Sequence, residues 1–350
     1  MISIIGAGPA GSYAAYLLAR KGHDVHVYEE HTKIGAPVQC TGIVTSELAN
    51  ILKIKEEFLV NKVTLARIHA PDGRHIEVKL AKPNLILDRG KFDRHLASLA
   101  EKAGAKMHLG KRFEGIRNRK IVISGEEIKT DYLIGADGPN STVSRYICKE
   151  KRKNVIGVQA RIRKKIDPHT VEFWLGIGEF AWLVPESSTV ARVGLVDTRN
   201  LNRQFEELLK KVGGKVLEKQ GGLIPIYSPS RRIQRKRIMV IGDAAGQVKA
   251  TTYGGLVPGL IAAEELGRSL SLYEDNYNRR MKKELWLSLI IRKAMNNFSE
   301  NDYNRLVEYF SQDKIKKILE KENRDFPSRF LFKILAKEPR LLKFAKKLVA

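Results

Sequence analysis

The chain has 350 residues, 43% of them hydrophobic, which excludes a disordered polymer and allows one large or two medium domains around a sizeable core. Its 63 Lys and Arg against 39 Asp and Glu give a net charge of +24, compatible with an anionic membrane surface, with nucleic acid, or with a plain Lys/Arg/Glu-rich exterior. No nucleic-acid module surrounds the basic clusters at 149–153, 231–237 and 343–347, so no nucleic-acid partner is expected. The two cysteines, Cys40 and Cys148, form no disulfide framework. The longest apolar stretches, around 254–263 and 285–291, fall short of the roughly 18 residues that cross a bilayer. A strand beginning at residue 2 leaves no room for a signal peptide, so the expected location is cytoplasmic, and the basic charge leaves an anionic membrane surface open as a partner.

Residues 2–5 read as a buried strand, followed at once by Gly6-Ala7-Gly8-Pro9-Ala10-Gly11 and an apolar helix over 12–21. A second strand, 25–28, ends at Glu29. This is a dinucleotide-binding fingerprint. Gly6 permits the tight turn, Gly8 lets backbone approach a pyrophosphate, and Gly11 lets helix and strand pack closely. The helix N-terminus offers N–H groups and a positive dipole end to phosphates, and Glu29 can accept hydrogen bonds from a ribose. Residues 30–46 form a loop that includes Cys40-Thr41-Gly42. Residues 62–87 alternate as strands about an Asp72-Gly73 hairpin. A helix follows over 92–103, ended by Gly104, and 105–109 returns as a parallel strand. Strands over 116–123 and 128–134 lead into Gly135-Ala136-Asp137-Gly138.

Strands at 155–162, 170–175, 181–184 and 190–196 suggest an antiparallel sheet with one covered face, and 202–219 reads as a helix. A buried strand at 238–241 runs into Gly242-Asp243-Ala244-Ala245-Gly246, a helix starts near Gly255, and from 273 onward the pattern is helical, charged and amphipathic. The expected fold is α/β. A discontinuous Rossmann-type FAD-binding domain takes 1–61, 85–150 and 235–272. An inserted antiparallel β-sheet substrate domain takes 62–84 and 151–234, and a C-terminal helical segment takes 273–350.

A strand that ends in Gly-Asp and turns into glycine-rich backbone sets a carboxylate beside an extended polyol. Asp243 can therefore accept from a ribityl hydroxyl, and the helix after Gly255 can aim its N-terminus at a flavin ring. NAD has no ribityl chain, so the anchor favours FAD. None of the eight histidines has metal-ligand spacing, and no Ser/His/Asp order suggests hydrolysis.

Together the three glycine-rich elements resemble the flavoprotein hydroxylase superfamily over roughly 1–270. Pro37-Val38-Gln39-Cys40-Thr41-Gly42 matches the Pro-x-x-Cys-x-Gly motif of geranylgeranyl reductases. The segment from Phe180 through Trp182 to Pro185, followed by Gly194-Leu195-Val196, is similar to that family's aromatic-x-Trp-x-Phe-Pro and Gly-x-Gly motif, with Val184 and Val196 as departures. Tyr253-Gly254-Gly255-Leu256 looks like its glycine segment, with Tyr253 where the first Gly stands.

The resemblance implies FAD-dependent saturation of isoprenoid double bonds, in archaea on geranylgeranyl chains of glycerophospholipids. Carried over, FAD contacts fall on Ala10, Glu29, Cys40, Thr41, Gly42, Arg89, Asp243, Gly255 and Leu256, beside Gly6, Gly8, Gly11 and Asp137. Phe113 is a further candidate for a backbone contact near adenine. Arg89 suits pyrophosphate or ribose by charge; the alternative is an ion pair with Asp88 or Asp93. Trp182, Pro185 and Tyr253 would line a prenyl channel, with a core role for Trp182 as the alternative.

An isolated alkene is not polarised, so a hydride at one carbon must be matched by a proton at the other, and Cys40 or a nearby water is the candidate donor. With one fingerprint only, the reductant is a reduced ferredoxin or transient NAD(P)H. The rival readings are an aromatic-hydroxylase-type monooxygenase and a non-catalytic FAD-containing lipid binder.

Overall fold

The computed structural model describes residues 1–148 and 153–348, so most of the basic cluster at 149–153 lies outside the described residues. The chain forms two compact units, one of residues 1–38, 89–154 and 224–286, the other of 39–88, 155–223 and 287–350. Residues 39–61, grouped with the nucleotide domain on sequence grounds, pack with the second unit. The C-terminal helices form no separate body, because the division falls within the helix Lys283–Met295.

The first unit is built on a six-stranded sheet. Its order is Gln234–Arg235, Ile238–Val240, Tyr132–Gly135, Ile2–Ile5, Val25–Glu29 and Lys106–Leu109, parallel except for the first strand. The central strand Ile2–Ile5 is buried throughout, as a strand covered on both faces must be. The helices Pro9–Ala19, Arg89–Lys102 and Leu256–Arg268 belong to this unit, and the first of them packs against both others. It begins three residues earlier than the apolar run predicts, because Pro9 occupies its first turn, where a missing N–H costs nothing.

A small antiparallel sheet, Phe113–Arg117, Lys120–Ile123 and Glu126–Ile128, breaks the single strand expected over 116–123 into a hairpin, while the strand expected over 128–134 is realised as Tyr132–Gly135 in the six-stranded sheet. Asn118 and Arg119 both take left-handed backbone (φ 51° and 61°), which closes a two-residue hairpin between Arg117 and Lys120.

The second unit carries an eight-stranded sheet in the order Lys215–Pro225, Asn154–Arg163, Val190–Asp197, Phe180–Pro185, Thr170–Trp174, Leu59–His69, His75–Leu87 and Ile43–Val44. The Thr170–Trp174 and Leu59–His69 pair is parallel. The helix Leu201–Val212 covers one face, burying Phe205 and Leu208 against Ile162, Leu183, Val193 and Leu195. Residues 215–219, expected to extend that helix, are strand instead. Gly213 and Gly214 take positive φ (72° and 101°), end the helix and turn the chain back into the sheet. The helices Glu300–Phe310 and Asp313–Lys321 pack Val307, Phe310 and Leu319 on Ile76 and Val78 of the hairpin.

Candidate functional site

In the first unit the fingerprint glycines separate by role. A Cβ at Gly6 would stand 2.3 Å from the Ala136 carbonyl oxygen, and one at Gly11 2.1 Å from that of Gly6. At Gly8 a Cβ would meet nothing within 4 Å. Two glycines are therefore required by packing, while the third faces the open space a pyrophosphate needs. The helix Pro9–Ala19 has no acidic side chain in its first turn, so its N-terminal dipole is not neutralised locally.

Glu29, at the end of its strand, accepts from Ala7 N (2.8 Å) with one oxygen and from His31 N (3.0 Å) with the other, which also lies 2.6 Å from His31 Nδ1. The carboxylate is thus fixed at the mouth of the fingerprint loop. His31 was not foreseen, because a solvent-side histidine in a loop carries no periodic signal.

The late anchor meets the early one. A Cβ at Gly242 would lie 3.0 Å from the Ala10 Cβ, and one at Gly259 3.6 Å from it. Asp243 Oδ1 lies 2.9 Å from where a Gly255 Cβ would stand, at the N-cap of the helix Leu256–Arg268, which also has no acidic residue in its first turn. Gly242 thus lies against Ala10, and Asp243 lies against Gly255, although the pieces are distant in sequence. The turn is held from behind: Gln247 Oε1 accepts from Gly242 N (2.6 Å), and Gln247 Nε2 donates to Tyr273 Oη (2.8 Å), which donates to the Val240 carbonyl (2.8 Å). Tyr253 takes left-handed backbone (φ 51°) and donates its N–H to the Lys249 carbonyl at 2.7 Å.

Three expected ligands have local partners. Asp137 accepts from Ser141 Oγ (2.6 Å), Thr142 N (2.8 Å) and Val143 N (3.1 Å), so its carboxylate caps a turn instead of facing outward. Burial pushes its pKa up, against those hydrogen bonds. Arg89 forms a two-pronged pair with Asp93 (3.0 Å on each prong), the alternative weighed for it. Phe113 is buried edge-on to Tyr146 in the small sheet.

In the second unit, Cys40-Thr41-Gly42 is clamped by a polar network. Gly42 takes φ 73°, and a Cβ there would stand 2.5 Å from the Leu87 carbonyl oxygen. Arg192, 7% exposed, donates through Nη1 to the Thr41 and Leu87 carbonyls and through Nε to Glu186 (2.6 Å). Glu186 also receives both prongs of Arg161 (2.9 and 2.8 Å). Burial raises the Glu186 pKa, but the Arg161 hydrogen bonds and the Arg192 charge outweigh it, and the carboxyl titrates below its ordinary value.

Thr41 Oγ1 donates to Gln159 Oε1 (2.9 Å), and Gln159 Nε2 donates to Gln220 (2.6 Å). Cys40 Sγ accepts from Gly42 N at 3.3 Å, which fixes the sulfur and leaves its own proton to be donated elsewhere. Arg192, Glu186 and Gln159 were missed. The available signal was a charged residue inside the otherwise apolar run 190–196.

Trp182 is 7% exposed, 5.6 Å from the Phe180 ring, and its indole Nε1 has no acceptor. That is a core position. Pro185 is buried at the end of the same strand, with its carbonyl held by Asn61 Nδ2 (3.0 Å), and Tyr253 is half-buried in the other unit. Among the described residues no cluster of His, Cys, Asp or Glu could hold a metal, and no helix is long and apolar enough to cross a membrane.

Residues 4–43 match a family described as NAD(P)-binding Rossmann-like domain. Digeranylgeranylglycerophospholipid reductase 2 of Methanothermobacter thermautotrophicus is 30% identical over 357 residues, covering 87% of this chain and 90% of the relative. The chain belongs to the digeranylgeranylglycerophospholipid reductase family. A solved geranylgeranyl bacteriochlorophyll reductase-like protein from Thermoplasma acidophilum shares the fold, with a TM-score of 0.86 and 22% identity over 99% of this chain and 98% of that one. A flavin-dependent halogenase, CmlS, shares it more loosely, with a TM-score of 0.70 and 18% identity over 98% of this chain and 77% of that one. The family assignment agrees with the resemblance read in the Pro37 to Gly42 segment and in the Phe180 to Val196 segment.

Proposed function

We propose that this chain is an FAD-dependent oxidoreductase that saturates the C=C bonds of geranylgeranyl chains on archaeal membrane glycerophospholipids. The observation that carries the reading is the Cys40-Thr41-Gly42 loop, fixed by Arg192 and Gln159, in a chain whose curated relatives are named digeranylgeranylglycerophospholipid reductases. The residues fit a flavin dinucleotide: open space at Gly8, a fixed carboxylate at Glu29, and Asp243 beside Gly255. Reduced FAD supplies the hydride when bound.

The chain's own residues bind and orient. The N–H groups of Gly8, Ala10 and Gly11 would hold the pyrophosphate, Glu29 the ribose and Asp243 the ribityl chain, and the N-terminus of Leu256–Arg268 would stabilise negative charge on the ring. Cys40 to Gly42 are the proposed flavin-side contacts. Cys40, or a water it orders, delivers the proton to the second alkene carbon. The electrons come from a reduced ferredoxin or from NAD(P)H.

The C-terminal helices supply the peripheral membrane contact. Leu331–Lys337 and the 3₁₀ run Pro339–Leu348 bury Ile334 and Leu341 on one side. On the other they expose Phe332 (60%), Leu342 (56%) and Leu348 among Lys337, Lys343 and Lys346, none of which has an acidic partner among the described residues. Apolar side chains ringed by lysine suit the surface of an anionic bilayer.

The test is mass spectrometry of digeranylgeranylglycerophospholipid incubated with FAD-loaded, dithionite-reduced protein. The expected product gains about two mass units per double bond. A hydroxylated product under oxygen would instead identify a monooxygenase, and bound flavin that no prenyl lipid reoxidises would identify a binding protein.

A further inference from the structure

A cavity of about 160 Å³ lies within the first unit, between the loop 227–233 and the helical segment Tyr273–Tyr277 with its continuation Asn278–Lys282. Three cations line it, Arg231, Arg232 and Lys282, against one acid, Glu274. That acid is already committed: one oxygen accepts from Ile233 N (3.1 Å) and the other lies 3.6 Å from Arg232 Nε. Lys282 has no acidic partner among the described residues. Lys282 therefore adds a positive charge to the wall that no acid compensates, and like charges around one cavity repel unless an anion sits among them.

The hydrogen-bonding inventory points the same way. Tyr277, 2% exposed, has a buried hydroxyl without a partner, and burial pushes its pKa well up, so it stays a neutral donor. An orphaned buried donor costs about 1–3 kcal/mol and calls for an acceptor. Ser228 and Ser230 bring two hydroxyls 3.3 Å apart on the same wall. The wall is thus rich in cations and O–H donors and poor in free acceptors. Its volume is below the roughly 300 Å³ at which drug-sized pockets begin, so it has no room for a dinucleotide or a prenyl chain.

We propose that this cavity, bounded by Arg231, Arg232, Lys282 and Ser230, binds a phosphate group. Guanidinium forks and an ammonium recognise the tetrahedral oxyanion, and the hydroxyls complete its acceptor shell. The phosphate is either free inorganic phosphate or the monoester of a lipid headgroup. Ala245 and Gln247 form part of the wall, and Gln247 holds the Gly242 N–H that sets the Asp243 turn, so occupancy reaches the flavin anchor through one side chain.

The experiment is calorimetric titration of the full chain with inorganic phosphate and, separately, with glycerol phosphate. Excess FAD is present so that the fingerprint loop is not the site measured. Wild type is expected to bind at least one probe. Arg232→Ala with Lys282→Ala is expected to weaken it by about tenfold or more, while Lys53→Ala with Lys55→Ala, on the second unit's surface, leaves it unchanged. Tighter binding of inorganic phosphate identifies the free ion, and tighter binding of glycerol phosphate identifies an esterified headgroup. Absence of binding to both at about 10 mM, or equal weakening by both double variants, overturns the proposal. Lys282→Ala alone removes an exposed side chain, so it keeps the test valid if the double variant fails to fold.

Discussion

Gly194 exists to seat Trp182. The two residues face each other across paired strands, and a Cβ on Gly194 would stand 2.6 Å from Trp182 Cζ2 and 2.5 Å from the Val158 carbonyl oxygen. The spacing between tryptophan and glycine in this motif is thus a packing requirement, whatever else the tryptophan does. Gly194→Ala is expected to cost about 3 kcal/mol, because an overpacked core with backbone on one side cannot relax. Urea unfolding followed by tryptophan fluorescence measures it; a midpoint within error of wild type would show that the ring moves aside freely.

Arg192 and Glu186 tie the Cys40 loop to the sheet, and their coupling has a pH signature. Glu186 has a folded pKa below its unfolded value of 4.5. Its contribution is therefore complete above about pH 4.5 and is lost as pH falls through the folded value. Arg192→Met removes one cation and leaves Arg161, so the Glu186 pKa rises toward normal, and the acid loss of stability becomes smaller and ends at a higher pH. At neutral pH the same variant costs roughly 3 kcal/mol, since a buried carboxylate loses a partner. Thermal melts from pH 3 to 7 read both effects. An unchanged acid limb would mean that Arg161 alone sets the titration.

What the sequence made legible was local. Gly6, Gly8 and Gly11 lie within six residues, and their spacing states backbone requirements directly. Asp243 and Gly255 were legible for the same reason, each standing at the end of a recognisable strand or the start of a helix. Arg192 was not, because it acts on Thr41, 151 positions away, through a guanidinium that only the folded sheet brings near. The partners of Asp137 were equally hidden. An acid after a strand and before glycine looks like a ligand, yet the hydroxyl and amides of residues 141–143 claim its carboxylate first. Residues 215–219 continue an apolar spacing that fits a helix over 202–219, and it is the positive φ of Gly213 and Gly214 that turns them into strand.

Tyr253 offers a clean measure of backbone strain. Its left-handed φ of 51° costs a non-glycine residue about 1–2 kcal/mol. Elsewhere in a chain alanine is more stabilising than glycine, because glycine loses more freedom on folding. Here the order should invert. Tyr253→Gly is expected to be more stable than Tyr253→Ala by about 1 kcal/mol, although both lose the same ring. Chemical denaturation of the two variants side by side gives the difference, and an alanine variant equal to or better than glycine would place the residue outside the left-handed region in solution.

The surface bearing Phe332 and Leu342 should separate membrane attachment from chemistry. Each side chain would contribute roughly 1.5–3 kcal/mol on entering an apolar environment, and the neighbouring Lys337, Lys343 and Lys346 add attraction that salt screens. Phe332→Ser with Leu342→Ser is therefore expected to weaken sedimentation with phosphatidylglycerol vesicles by about tenfold or more. Both changes are at exposed positions, so the melting temperature should hold, as should turnover of detergent-dispersed substrate. Wild type should bind anionic vesicles far better than phosphatidylcholine ones, and high salt should release it. If wild type ignores anionic vesicles, or the double variant binds them equally well, this face is not the attachment surface, and the exposed apolar pair belongs to an ordinary solvent boundary.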